Sequence, residues 1–405
     1  MVAVSLKKIG AVVASPTLEL EPLARALPAG RYYLRIIDPG SLEILERRVL
    51  ITEAIAPEPA PEPAPASEPA DLITSEQIEI SPYRPGDEHS ILRLWKKVFK
   101  QERDMALWRW LFTENPAGIH IMLARKKADN EVVAQFAGCQ LRTQIRDEVH
   151  TFAQMVDSMS DPDVRQSLSR SGGIFTQTVL KYVETWGRPG EEPFGYGLPN
   201  RLAYRIGKRT QGYTDVCQLE WRVLPVAELP EREPAPEGIR VEVVEGRLHE
   251  DIDALWERFR KQYPVMTVRD TTYLEWRYLN HPEKHYKLVF VERDGKLVGF
   301  ASTAPNFIGQ SIFGVGDWML DEGEEEAGRA MVAACEQLAR ESGMERILGS
   351  FVPIGSPADQ LWESLGYPLE KSQWKWVGRI YDPERLNWDL MRTGFYLTIG
   401  DSDLI

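Results

Sequence analysis

The chain has 405 residues, with 48 Lys plus Arg against 61 Asp plus Glu and a formal charge of -13. Hydrophobic residues make up 43% and aromatics 10%, with 12 Trp, so there is apolar surface enough for real cores and wholesale disorder is excluded. The acidic balance argues against a nucleic-acid protein, which needs a concentrated basic face, and no apolar run approaches the roughly 18 residues that a membrane span requires.

Residues 1–55 carry TLELEP, GRYYLRIIDP and LEILERRVLIT, where apolar and polar positions alternate between Pro and Gly. That pattern predicts a small β-rich module. So short a module buries little core alone, so it reads as a decorating sheet, with a docking or oligomerisation appendage as the alternative. Lys7 and Lys8 precede an apolar patch too short for a signal-peptide core. Cys139, Cys217 and Cys335 lie far apart with no CxxC pair, which excludes a disulfide framework and a zinc knuckle. A cytoplasmic location is expected. With six His and no HExxH, no metal is expected either.

Residues 56–76 form a linker around PEPAPEPAPASEPA, whose alternating Pro, Glu and Ala favour extended polyproline II. A second linker, residues 228–238, contains ELPEREPAPEG and separates two long patterned regions, 77–227 and 239–405. These two regions resemble each other. Leu107-Trp108-Arg109-Trp110-Leu111 before Asn115-Pro116 is echoed by Trp276-Arg277-Tyr278-Leu279 before His281-Pro282. Strand-like runs follow at Val132 to Cys139 and at Leu297 to Ala304, the latter entered through Asp294-Gly295, a hairpin-type turn. Met155-Val156-Asp157-Ser158-Met159 is matched by Val315-Gly316-Asp317-Trp318-Met319, and Gly212-Tyr213 by Gly366-Tyr367. Landmarks recurring in one order indicate an internal duplication. Each copy reads as mixed α/β, and no GxGxxG or GxxxxGK[ST] points to NAD or ATP.

The segment Arg170-Ser171-Gly172-Gly173-Ile174-Phe175-Thr176 stands directly before an apolar-periodic helix starting near Phe175. Glycines admit close approach of an anion to backbone amides, a helix N-terminus adds unpaired donors, and an Arg supplies charge. A phosphate is a natural ligand for such a loop, although a glycine turn before a helix is also an ordinary feature.

With Tyr83-Arg84-Pro85-Gly86-Asp87, Trp108-Arg109-Trp110, Val156-Asp157-Ser158-Met159, Arg170 to Thr176, Gly197-Leu198-Pro199-Asn200 and Gly212-Tyr213, the region from about Ile80 to Val223 resembles a GNAT domain, the fold of the Gcn5-related N-acetyltransferases. The region from about Ile239 to Tyr381 is similar in outline. The resemblance implies an α/β (α+β) mixed-sheet fold with tandem acyl-CoA N-acyltransferase domains after the β module. It further implies acyl transfer from acetyl-CoA or another acyl-CoA to an amine, on a small molecule or a protein. A homodimer is an open alternative to a monomer, and no nucleic acid or membrane is expected as partner. The family's pyrophosphate pattern is met at Arg170 and Gly173, while Phe175 stands where a small residue is usual and Arg165 to Ser169 read as an insertion. In the second copy the loop is Asp321-Glu322-Gly323-Glu324-Glu325-Glu326, five carboxylates where a pyrophosphate would sit. Like charges repel there, so that copy is expected to be degenerate, walling the acceptor pocket or mediating dimerisation.

By the same resemblance Asp157 would accept the proton of the attacking ammonium, against a plain strand-end role suggested by the recurrence of Asp317. Tyr204 would protonate the leaving thiolate, or would simply pack on the sheet. Met159, Arg170, Ser171, Gly172, Gly173, Ile174, Phe175, Thr176 and Asn200 would bind the coenzyme, Asn200 serving equally well as a helix cap. A catalytically inactive scaffold or binding protein is the alternative from a different class. A transferase using charged transfer RNA would need a basic groove.

Overall fold

The computed structural model describes residues 2–6, 12–15, 30–37, 44–51, 75–165, 173–307 and 310–403. Two units are distinct, Met1–Asp71 and Leu72–Ile405. In the first, β1 (Val2–Leu6), β2 (Val12–Ser15), β3 (Gly30–Ile37) and β4 (Ile44–Ile51) form an antiparallel sheet in the order β2-β1-β3-β4. GRYYLRII and ILERRVLI are the β3 and β4 strands. The TLELEP run and the Pro57 to Ala70 spacer lie outside the described residues.

The second unit opens with β5 (Ile78–Pro82), α1 (Glu88–Phe99), α2 (Met105–Leu111), β6 (Ile119–Lys126), β7 (Val132–Ile145) and β8 (Glu148–Ser160). It continues through α3 (Pro162–Arg165), α4 (Ile174–Thr185), β9 (Phe194–Gly197), α5 (Arg201–Ile206) and β10 (Thr214–Pro225). A similar order then follows: β11 (Ile239–Val244), α6 (Ile252–Phe259), β12 (Val265–Thr267), α7 (Thr271–Leu274), β13 (Lys287–Arg293), β14 (Lys296–Ala304) and β15 (Ile312–Leu320). After it come α8 (Glu325–Ser342), β16 (Arg346–Gly349), β17 (Phe351–Val352), α9 (Pro357–Ser364) and β18 (Leu369–Ile380), with α10 (Trp388–Thr393) and β19 (Phe395–Thr398) as an extension. The β13–β14 hairpin turns at Asp294 and Gly295, whose φ values of 51° and 80° are the pair of positive angles that a two-residue hairpin turn requires.

One sheet runs through both halves, because each half's last strand crosses to the other. β10 lies antiparallel to β16, with Val223 opposite Leu348, and β18 lies antiparallel to β9, with Val377 opposite Gly197. β10 and β18 pair with each other from Thr214–Gly378 to Arg222–Leu369. The segment joining the halves is itself packed down. Arg232 is bonded to the fully buried Glu336 of α8 at 2.8 Å, and Arg340 donates to the carbonyl of Pro230 at 2.9 Å.

The Trp-rich helices close the core. Trp108 is fully buried, and Trp110 stacks on Trp276 with centroids 5.1 Å apart and planes 14° from parallel. Each indole N–H of that pair donates to the other's backbone carbonyl, at 2.7 and 2.8 Å. So reciprocal a contact is what a local two-fold relation produces, and it satisfies two donors that burial would otherwise leave costly. Among the described residues no helix is long and apolar enough to cross a membrane, and no His, Cys, Asp and Glu group could hold a metal ion.

Candidate active site

β8 and β9 run parallel but pair only at Ala153–Gly195 and Gln154–Tyr196. Beyond that point β8 carries one extra residue relative to β7, since Val156 faces Ala137 while Met159 faces Gln135. Asp157 sits in this bulge at φ 51°, a left-handed conformation that Asp tolerates better than most residues. Its carbonyl accepts from Gln135 Nε2 at 3.1 Å. Its side chain, 9% exposed, pairs with the guanidinium of Arg103, which is equally buried and lies with Cζ 4.4 Å from the Trp95 ring centroid. Burial raises the Asp157 carboxyl above the usual carboxylate range, with Arg103 pulling the other way. A carboxylate with a raised pKa is a better proton acceptor.

Asp317, the matching residue of the second half, is held quite differently. It is fully buried and accepts from Arg269 at 2.6 Å, Tyr278 at 3.0 Å, Thr398 at 3.1 Å and the Trp318 amide at 3.0 Å. Arg269, itself fully buried, also binds Asp401 at 2.7 Å. The free edge of β15 is taken up too, by Tyr396 Oη on the Trp318 carbonyl at 3.0 Å and Gln262 Nε2 on the Leu320 carbonyl at 2.9 Å. The C-terminal segment after α10 thus fills the place that stands open beside β8.

A cavity of about 150 Å³ lies beside the Arg103–Asp157 pair, lined by Arg103, Trp110, Cys139 and Gln154 from the first half and by Trp276, Arg277, His281, Lys284 and residues 400–403 from the second. Burial pushes the Cys139 thiol up to about 12, so it is inert at neutral pH. Burial beside Arg277 brings His281 down to about 3, which keeps its ring neutral while Nδ1 accepts from the amides of Glu283 and Lys284 at 3.2 and 3.1 Å.

Of the coenzyme-binding candidates, Arg170, Ser171 and Gly172 lie outside the described residues, as do the positions of the inserted stretch beyond Arg165. Gly173 is the N-cap of α4 and has no side chain with which to close off the first-turn amides of Ile174, Phe175 and Thr176. That leaves donors of the kind a phosphate uses. Ile174 is buried, and Phe175 packs edge-on against Phe136 at 6.1 Å, which explains a large side chain at this position. Met159 is buried in the core beneath the β8 bulge. Asn200 caps α5, its Oδ1 accepting from the amides of Leu202 and Ala203 at 3.0 Å. The Tyr204 hydroxyl donates to Asp215 at 2.9 Å, and Lys375 lies 5.1 Å from its ring centroid. A turn further on, a Cβ on Gly207 would come within 2.1 Å of the Tyr213 ring, so that ring occupies the space a side chain there would need. Sequence reasoning did not find Arg103, Gln154 or Lys284. No spacing rule links a loop cation to an acid 54 residues away.

In the second half a cavity of about 410 Å³ opens at the N-terminus of α8, lined by Glu322, Gly323, Glu325 and Arg329 among others. Three of the loop's five carboxylates are neutralised: Asp321 pairs with Arg258 and Lys296 at 2.7 and 3.2 Å, and Glu324 and Glu326 pair with Arg293 at 2.6 and 3.1 Å. The repulsion expected from the sequence is therefore weaker than the bare count of acids suggests.

Two comparisons bear on this architecture. The model of the acetyltransferase (GNAT) family matches residues 252–367, within the second half. That half keeps the short strand-to-helix step from Leu320 to Glu325, whereas the first half spends Asp161 to Gly173 on the same step. Among solved structures, the chain is similar to a conserved protein of unknown function from Enterococcus faecalis V583, described as a probable N-acyltransferase, at 13% identity and TM-score 0.57, covering 76% of this chain and 74% of that one. It is similar also to GCN5-related N-acetyltransferases from Anabaena variabilis ATCC 29413 (14% identity, TM-score 0.51, 75% and 73% covered) and Kribbella flavida (14%, 0.51, 76% and 72%). The chain thus shares the mixed α/β fold of the GCN5-related N-acetyltransferases. No curated protein sequence matches it.

Proposed function

We propose that the protein is a tandem GNAT-like N-acyltransferase that moves an acyl group from a coenzyme A thioester, acetyl-CoA foremost, to an amine. Residues 77–227 are the catalytic half, and residues 239–405 are a degenerate copy that walls the acceptor pocket. The observation carrying this reading is the contrast between the two strand acids. Asp317 is consumed by four donors, whereas among the described residues the Asp157 side chain is held by Arg103 alone, and Arg103 lines a cavity. The sequence Arg170-Ser171-Gly172 and the first-turn amides of α4, where the Gly173 N-cap brings no side chain, support a diphosphate site here.

The thioester supplies an activated acyl carbon. Asp157 takes one proton from the acceptor ammonium, the nitrogen lone pair forms the amide bond as the carbon–sulfur bond breaks, and the second nitrogen proton leaves with the thiol. Arg103 holds the Asp157 carboxylate in place beneath the bulge. Tyr204 relays that second proton in this reading, giving its hydroxyl proton to the leaving sulfur as its bond to Asp215 breaks and taking the nitrogen proton in return.

A second reading puts the donor against α8, favoured by the 410 Å³ cavity and by the family match on residues 252–367. Calorimetry with acetyl-CoA separates the two. Micromolar binding abolished by Arg170→Glu and untouched by Arg329→Glu is the expected result; the opposite pattern moves the site to the second half, and no heat at all removes the transferase reading.

A further inference from the structure

The cavity beside the Arg103–Asp157 pair is lined by residues whose buried polar atoms have, among the described residues, no partner. Arg103 Nε is buried without a hydrogen-bond partner, although its Nη1 is paired. Asp401 Oδ1 is likewise buried and unpartnered, although Oδ2 binds Arg269. Lys284 lines the same cavity half-buried, and among the described residues its ammonium has no ion pair or hydrogen bond. An unmatched ammonium and an unmatched carboxylate oxygen lining one small chamber are costly unless a ligand completes them. An apolar amine would complete only the acids, and a bare anion only the cation. A ligand carrying both charges completes both and adds no net charge.

Size narrows the class further. A cavity of about 150 Å³ is of the order that encloses a guest of about six heavy atoms, such as benzene. Alanine has that many. The volume leaves no room for a long side chain, and Arg103, Gln154, Arg277 and Lys284 bring polar groups to walls otherwise formed by Leu107, Leu111 and Leu141.

We infer that the acceptor is a small α-amino acid, bound as a zwitterion with its carboxylate on Lys284 and its ammonium between the Asp401 oxygen and the Arg103-held Asp157. This rests on the transferase reading for its chemistry, while binding itself does not require the donor. Lys284 shares the cavity with Arg277, Arg103, His281, Glu283, Asp401 and Asp403, of which Arg277 disfavours its charge and Glu283 and Asp403 favour it. Burial and Arg277 bring its ammonium down to about 8. Affinity for the carboxylate is therefore present below that pH and lost above it.

The test is calorimetry of the full chain with L-alanine, L-alaninamide and propionate, with acetyl-CoA titrated separately. Alanine is expected to bind at pH 7 at least tenfold more tightly than either fragment, and Lys284→Met to weaken alanine tenfold or more while leaving alaninamide unchanged. In the wild type the alanine affinity falls as pH rises through 8, and Lys284→Arg removes that fall, which decides the matter even if the Met variant folds poorly. Alaninamide binding as well as alanine would identify a peptide N-terminus instead and overturn the inference, as would alanine giving no heat or an unchanged affinity in both variants. If acetyl-CoA binds and alanine does not, only the acceptor assignment falls; if alanine binds and acetyl-CoA does not, only the transferase reading falls.

Discussion

Asp157 lies in the bulge of β8 whereas Asp317 stands in register opposite Ser302 just past the extra residue Gly316 of β15, and their neighbours decide what each can do. Asp157→Asn removes the proton acceptor while keeping the shape, so kcat is expected to drop by roughly 100-fold or more with the KM for the donor little changed. Because burial raises its pKa, the acid limb of the kcat/KM profile is expected above the ordinary carboxylate range. Arg103→Gln removes the one influence that lowers it, so that limb is expected to move to higher pH; an unmoved limb would mean a different base. Tyr204→Phe is expected to cost less than about tenfold, since the hydroxyl's present partner is Asp215. His281 carries a stability prediction. Its folded pKa of about 3 lies below the ordinary histidine value of 6.5, so the unfolded chain binds the extra proton first. Stability is thus whole above about 6.5 and declines as pH falls toward 3, and His281→Asn should flatten that decline in pH-dependent thermal melts. At this scale Asp157 was legible because a strand-end motif repeats. The Arg103 partnership was not, because it is made only when a loop folds over a sheet.

Strands and helices were legible by pattern, and their neighbours were not. Alternation marked β3, β4, β7 and β14, and apolar period marked α4. Nothing in β10 or β18 says that each pairs in the other half, since an amphipathic strand fits any edge of matching pleat. Glycines show the exchange instead. A Cβ on Gly378 of β18 would come within 2.3 Å of the Phe194 ring of β9 and 3.1 Å of the Gly195 carbonyl. Gly378→Ala is therefore expected to cost about 1–3 kcal/mol in denaturant unfolding, the usual cost of overpacking. Trp276→Ala breaks the reciprocal Trp pair, removes the indole donor from the Trp110 carbonyl, and is expected to cost about 3–5 kcal/mol.

For the molecule as a whole, the crossed strands make residues 72–405 one folding unit although the sequence reads as two domains with a linker between them. The Pro-rich stretch 228–238 looked like a spacer because prolines resist helix and strand, yet Arg232 straps it to α8. A fragment of residues 75–227 is expected to stay unfolded alone, and to fold when mixed with residues 228–405, as followed by circular dichroism and gel filtration. Recurring landmarks in the sequence suggested the duplication, while the way β19 and the segment after it fill the cleft beside β15 could not be read there, because it is made only by tertiary packing.

The most direct measurement is amine-dependent release of free thiol from acetyl-CoA by the full chain, with Asp157→Asn and Asp317→Asn in parallel. We expect release that requires the amine, survives in any folded Asp317→Asn protein and falls at least 100-fold in Asp157→Asn. Release that is independent of the amine, or that Asp157→Asn leaves intact, would contradict an acyl transfer centred on the first half.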